Sequence, residues 1–123
     1  MKAIGQTTWL IPDGYWPQFS TGKFPSHEAV CILNTGDKDA TVEITLFFED
    51  RAPLTGFTVT CPAQRTNHAR MDKLKDKAGK PIPQGVPYAI LAESNVPIVV
   101  QYSRMDTTQP EMALMTCVGY AGN

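Results

Sequence analysis

Histidine and cysteine are scarce in this 123-residue sequence, which has two histidines, His27 and His68, and three cysteines, Cys31, Cys61 and Cys117. None stands in an H-x-H or C-x-x-C pair, the spacings that bring two ligands onto one ion, so no metal centre is expected. The odd cysteine count, with each thiol inside or at the end of an apolar run, argues for free thiols that behave as small hydrophobes. Neither sign of charge is in excess: 11 basic and 12 acidic residues leave a net -1. No overall field therefore draws the chain to nucleic acid or anionic lipid. Among the basic residues, Lys73, Lys75, Lys77 and Lys80 form a strip, but Asp72 and Asp76 interrupt it, and a nucleic-acid partner is not expected.

No apolar run approaches the roughly 20 residues of a spanning helix, so no membrane insertion is expected. Polar Gln6, Thr7 and Thr8 follow Lys2 too soon for a secretion signal. A soluble, reducing, cytoplasmic setting is the expectation. A phosphate-binding loop, a dinucleotide fingerprint and a nucleophile elbow are all missing, and no cofactor is implied. No amphipathic helical pattern is longer than one turn.

What the sequence does have is strand. Its 42% apolar content suffices for one core, and a single domain over 1–123 is expected. Residues 3–11, with branched side chains and Trp9, read as a strand. The near-continuous apolar run 28–34 reads as a second, covered on both faces. In 41–48 the alternation is clean, Val42, Ile44, Leu46 and Phe48 against Thr41, Glu43, Thr45 and Phe47, as in a half-buried strand. Phe57, Val59 and Cys61 point inward on the next run, and 63–71 is extended but polar. Asp72 is placed to cap a helical turn through Leu74. Residues 88–93, 98–104 and 112–120 complete about eight strands, with turns at 94–97 and 105–110. Short strands separated by turn signals indicate an antiparallel sandwich or barrel.

The long aromatic loop before Ser26 exceeds the usual connection length and is expected to bind a ligand or a neighbour. It delivers Ser26, His27 and Glu28 to the mouth of the second strand. Adjacent extended residues point to opposite faces, so His27 cannot easily act as a base for Ser26. The plainer reading has Ser26 and Glu28 satisfying backbone groups while His27 packs on the loop. A second group, Arg65, His68, Arg70 and Asp72 beside Gln101, Arg104 and Asp106, offers forked guanidiniums next to amide and carboxylate groups. Such a set can orient a carboxylate, phosphate or sugar hydroxyls, or can be a solvated ion-pair network. Trp9, Tyr15 and Trp16 add aromatic faces of the kind that hold ring ligands, although a strand tryptophan is more often core.

Several segments carry a family likeness: Trp9, Ser26-His27-Glu28 followed by Val30-Cys31-Ile32-Leu33-Asn34, Gly36-Asp37, Val42-Glu43-Ile44-Thr45, and Pro62-Ala63 with Arg65, Thr66, His68 and Arg70. The likeness continues through Ser94-Asn95-Val96-Pro97-Ile98-Val99-Val100-Gln101 with Arg104 and Asp106. On these the sequence resembles the sensory rhodopsin transducer family. The resemblance implies an all-β, single-domain, antiparallel β-sandwich of jelly-roll type. It also implies a homotetramer and a role in ligand sensing or signal relay without enzymatic activity. A membrane photoreceptor or another signalling protein is the implied partner. The resemblance further suggests that His27, Glu28, Arg65, His68, Arg70, Gln101 and Arg104 line a small-molecule site, for which a sugar-like ligand is one candidate; Trp9 joins them as an aromatic face.

Two other functions are weighed beside this one. One is a hydrolase or isomerase with His68 or His27 as base and Glu28 as acid; the other is an adaptor working only through protein or DNA contacts. The last strand carries Met112, Leu114, Met115, Val118 and Tyr120 on both faces, so part of it, or the aromatic loop, is expected between subunits.

Overall fold

The computed structural model describes residues 1–122. Its elements are β1 (Gln6–Gly14), β2 (His27–Asn34), β3 (Ala40–Phe48), β4 (Leu54–Cys61), β5 (Arg65–Arg70), a 3-10 turn (Met71–Lys73), β6 (Tyr88–Asp106), β7 (Ala113–Val118) and β8 (Tyr120–Gly122). All pairings are antiparallel, and the chain is an all-β sandwich.

The 19-residue β6 organises everything else. Its first half lies between β3 and β1, in a sheet ordered β4-β3-β6-β1-β8. From Val99 onward the second half lies between β2 and β7, in a sheet that β5 extends beyond β2. One strand thus serves both layers, where the sequence suggested two strands with a turn at 94–97. That segment has Asn95 and Pro97 but no glycine, and proline's fixed φ suits extended chain, so the backbone bends between sheets without reversing. Asn95 Oδ1 accepts the Thr41 amide at 2.7 Å and ties the bend to β3.

Between the layers the inward residues of both sheets meet. Val42, Ile44, Leu46, Phe57, Val59, Ile90 and Ala92 come from one sheet, Val30, Ile32, Val100 and Tyr102 from the other, and Ile98 from the bend of β6 between them; all are buried. Each such aliphatic side chain contributes roughly 1.5–3 kcal/mol on burial. Met71 and Ile82, from the connections, are also buried in this core.

Several local expectations are corrected. The first strand runs on past Pro12 to Gly14, because a register shift between Ile11 and Gly14 accommodates a residue without an N–H. The last strand divides at Gly119. Asp72 makes no side-chain cap on the 3-10 turn. Instead it takes a fork of two 2.7 Å hydrogen bonds from Arg70, and a bidentate guanidinium contact is stronger than a neutral cap. Finally, β2 is covered on one face only: Val30 and Ile32 are buried, while Ala29 and Cys31 are half-buried and Leu33 is exposed.

Candidate functional site

The alternation of β2 sorts the polar residues at its mouth onto opposite sides of the second sheet. Glu28, even-numbered with Val30 and Ile32, points inward and is 1% exposed. The hydroxyls of Tyr88 and Tyr102 both donate to its carboxylate, and the Tyr15 amide donates to Oε2 at 2.7 Å. The Arg104 guanidinium stands 3.7 Å from the same oxygen. Arg104 Nε donates to the Tyr102 hydroxyl at 2.9 Å, and its Nη2 reaches the Asp13 carbonyl and carboxylate at 3.4 Å. Tyr88 begins β6 in one sheet and Tyr102 lies in β6 in the other, so a single carboxylate holds both halves of the bent strand and the start of the long loop.

Burial pushes the Glu28 carboxyl above the ordinary carboxylate value; the hydrogen bonds from Tyr102, Tyr88 and the Tyr15 amide, and the Arg104 charge, offset this only in part. Both phenols are raised as well, by burial and by the carboxylate they face. With so many donors committed to it, Glu28 works as a buried tie between elements. Ser26 is also spent on structure: it is buried, and its Oγ accepts the Thr107 amide at 2.9 Å.

His27, Ala29, Cys31 and Leu33 point outward. The strand register continues this face across the sheet in rows: His68, Cys31, Gln101 and Val118; Arg70, Ala29, Ser103 and Thr116; and His27, Met105 and Leu114. Partners within a row stand side by side at about 4.5–5.5 Å. The face carries a hollow of about 260 Å³ bounded by His27, Ser103, Arg104, Met105 and Leu114, and another of about 170 Å³ bounded by Cys31, Leu33, Thr66, His68 and Gln101. His68 is opposite Cys31, four residues along β2 from His27, which separates the two imidazoles by roughly 13 Å. His27 Nδ1 donates to the Pro25 carbonyl at 2.9 Å. Burial pushes the Asp72 carboxyl up, but its Arg70 fork outweighs that, with a smaller contribution from the nearby His27, and the net shift is downward.

The residues expected to line one hollow therefore fall into separate groups. His27, His68, Arg70 and Gln101 share the outer face, divided between these hollows and the Arg70–Asp72 pair. Glu28 lies inside, on the opposite side of the sheet from both imidazoles. Arg104 also points inward at Glu28, though it borders the His27 hollow. Arg65 is exposed at the end of β5, with Nη1 donating to the Gln64 carbonyl at 2.9 Å. Trp9 is buried core; its Nε1 donates to the Ile98 carbonyl at 2.9 Å and the Gln6 carbonyl at 3.0 Å, so it offers no open face. Asp106 accepts the Thr108 amide and hydroxyl at 2.9 and 2.8 Å, in its own turn. Tyr88 and Tyr102 were not anticipated as partners of Glu28. Their signal was parity: in one uninterrupted β6 the even positions from 98 to 104 face inward, and 88, 90 and 92 do the same in the other sheet.

Among the described residues no three His, Cys, Asp or Glu side chains are grouped to hold a metal ion. Among the described residues no helix is long and apolar enough to cross a membrane.

Residues 4–121 match the family described as Anabaena sensory rhodopsin transducer. The chain belongs to this family. Two solved structures agree with the assignment. The Anabaena sensory rhodopsin transducer is 46% identical, with a TM-score of 0.73 over 82% of this chain and 89% of that one. The crystal structure of Thermotoga maritima 1070 is 43% identical, with a TM-score of 0.83 over 96% of each chain. No curated protein matches the chain. In this transducer-family chain the most exposed apolar element is β7: all six of its residues are exposed, Leu114 and Val118 each at 68%.

Proposed function

We propose that the chain is a signal-relay module that works through protein contacts made by the outer face of the β5-β2-β6-β7 sheet. The observation carrying this reading is the uncovered β7. Leu114 and Val118 stand exposed on the outer face of a strand that, among the described residues, is paired on one side only, and Leu33 continues the apolar surface on β2. Exposed apolar surface of this extent marks an interaction site. A homotetramer covers part of it, and a membrane photoreceptor, the partner class in the family's name, takes the rest. The test is sedimentation with vesicles carrying a microbial rhodopsin, against empty vesicles. The chain is expected to pellet only with the receptor, and equal recovery from both would refute the receptor arm.

The His27 and His68 hollows support a second reading, in which a small sugar-like guest bound on the same face adjusts those contacts. Polar edges beside Met105, Leu114 and Leu33 suit a ring with hydroxyls. A panel of mono- and disaccharides should contain one that raises the Tm, with the shift lost in His68→Ala or His27→Ala. Both are surface changes expected to move stability by less than about 0.5 kcal/mol. A panel with no stabiliser would remove the sugar.

A further inference from the structure

A further concavity lies away from this face, where the β3–β4 turn meets the connection that follows the 3-10 turn. It has a volume of about 440 Å³, within the range of small-molecule sites. Its apolar walls include Phe48, Leu54 and the buried Ile82, and two cations, Arg51 and Lys80, stand at its edge.

The connection carrying Lys80 is built to hold it there. Asp76 Oδ1 accepts the amides of Ala78 and Lys80, each at 2.9 Å, and the Asp76 amide donates to the Lys80 carbonyl at 2.9 Å. Gly79, at a φ of 84°, closes this loop with its amide on the Asp76 carbonyl at 3.0 Å. The acid lining the cavity is thus already engaged by the loop's own amides, and Lys80 forms no ion pair among the described residues. Arg51 lies over the Phe48 ring, 5.4 Å from its centre, and among the described residues it pairs only with its exposed neighbour Asp50. Exposed pairs of this kind are weak and readily exchanged for another anion.

We propose that this cavity binds a small amphipathic monocarboxylate, its apolar body against Phe48, Leu54 and Ile82 and its carboxylate between Lys80 and Arg51. An apolar floor rewards a hydrocarbon body, and the two cations select an acid over the matching alcohol. The site shares no residue with the outer sheet face, so it stands or falls independently of the relay reading.

The experiment is isothermal titration calorimetry of the full chain with hexanoate and phenylacetate, with hexanol, 2-phenylethanol and acetate as comparisons, up to about 10 mM. Saturable binding of the two acids is expected. Acetate should give none, and the alcohols should bind several-fold more weakly. Lys80→Gln should weaken hexanoate about two- to fivefold, and Lys80→Gln with Arg51→Gln about tenfold, the range for solvent-facing charge pairs. Both positions are exposed, so these variants should fold; Leu54→Trp, checked by circular dichroism, should fill the cavity and abolish binding. Failure of both acids to saturate, alcohols binding as tightly as acids, or undiminished binding in the double glutamine variant would overturn the proposal.

Discussion

Glu28→Ala is expected to lower the unfolding free energy by about 3–5 kcal/mol, the cost of removing one partner from a buried charged cluster. The change strands two buried phenol donors, Tyr88 and Tyr102, and the Tyr15 amide, and leaves Arg104 facing no carboxylate but the exposed Asp13. A domain of this size has about 5–15 kcal/mol to lose, so the urea midpoint of the variant should fall well below the parent's. Tyr102→Phe removes one donor to Glu28 and the acceptor of Arg104 Nε; it should cost less, about 1–3 kcal/mol. A Glu28→Ala midpoint equal to that of the parent would show that the carboxylate does not tie the sheets.

The same residue gives the cluster a pH signature. Because the folded carboxyl titrates above its ordinary value of 4.5, the folded state holds the Glu28 proton more tightly than the unfolded chain does. The stability from this proton is fully present below pH 4.5 and is lost as pH rises through the folded value. Glu28→Gln does not titrate there. The deficit of that variant relative to the parent should therefore be largest at acid pH and shrink towards neutrality. A deficit that grows with pH would mean that the phenols and Arg104 outweigh burial.

Val118→Glu combined with Leu114→Glu should break the proposed homo-oligomer into lower-mass species with the fold intact. Both side chains are 68% exposed in the single chain. Charging them therefore costs little in the protomer, within about 0.5 kcal/mol as for most surface changes. Across an interface formed by copies of one surface, each carboxylate would be desolvated against apolar side chains of the other copy, at several kcal/mol. The expected outcome is an unchanged circular dichroism spectrum and a reduced light-scattering mass. If the mass stays at the parent's, β7 is not the contact.

Most of the fold was legible because its signals are local. The alternation Val42, Ile44, Leu46 places a half-buried strand whatever surrounds it, and Phe57, Val59 and Cys61 point inward as their spacing requires. The misreadings arose where the deciding contact is distant in sequence. Residues 94–97 carry turn-forming types, and only the pairing of β6 with β1, β2 and β3 shows the chain running straight on. An apolar run such as 28–34 has the composition of a strand covered on both faces, but composition does not record which neighbour covers the second face. Among the described residues none does.

The candidate site was legible residue by residue but not as a whole. Parity alone separates His27 from Glu28 and sets His68, Arg70 and Gln101 together on the outer face. Gathering all of them with Arg104 and Trp9 around one guest set that parity aside. Tyr88, sixty residues from Glu28, could be found only by first recognising β6 as continuous. The exposed face of the last strand, by contrast, was readable from Met112 to Tyr120 because apolar residues occupy both parities there.

The most direct test of a relay surface on the outer sheet is the light-scattering mass of the unmodified chain at micromolar concentration. A mass of several chains, four for the family's expected assembly, should persist on dilution and fall when Leu114 and Val118 are charged. A single-chain mass at every concentration would contradict the claim that this face works by being covered.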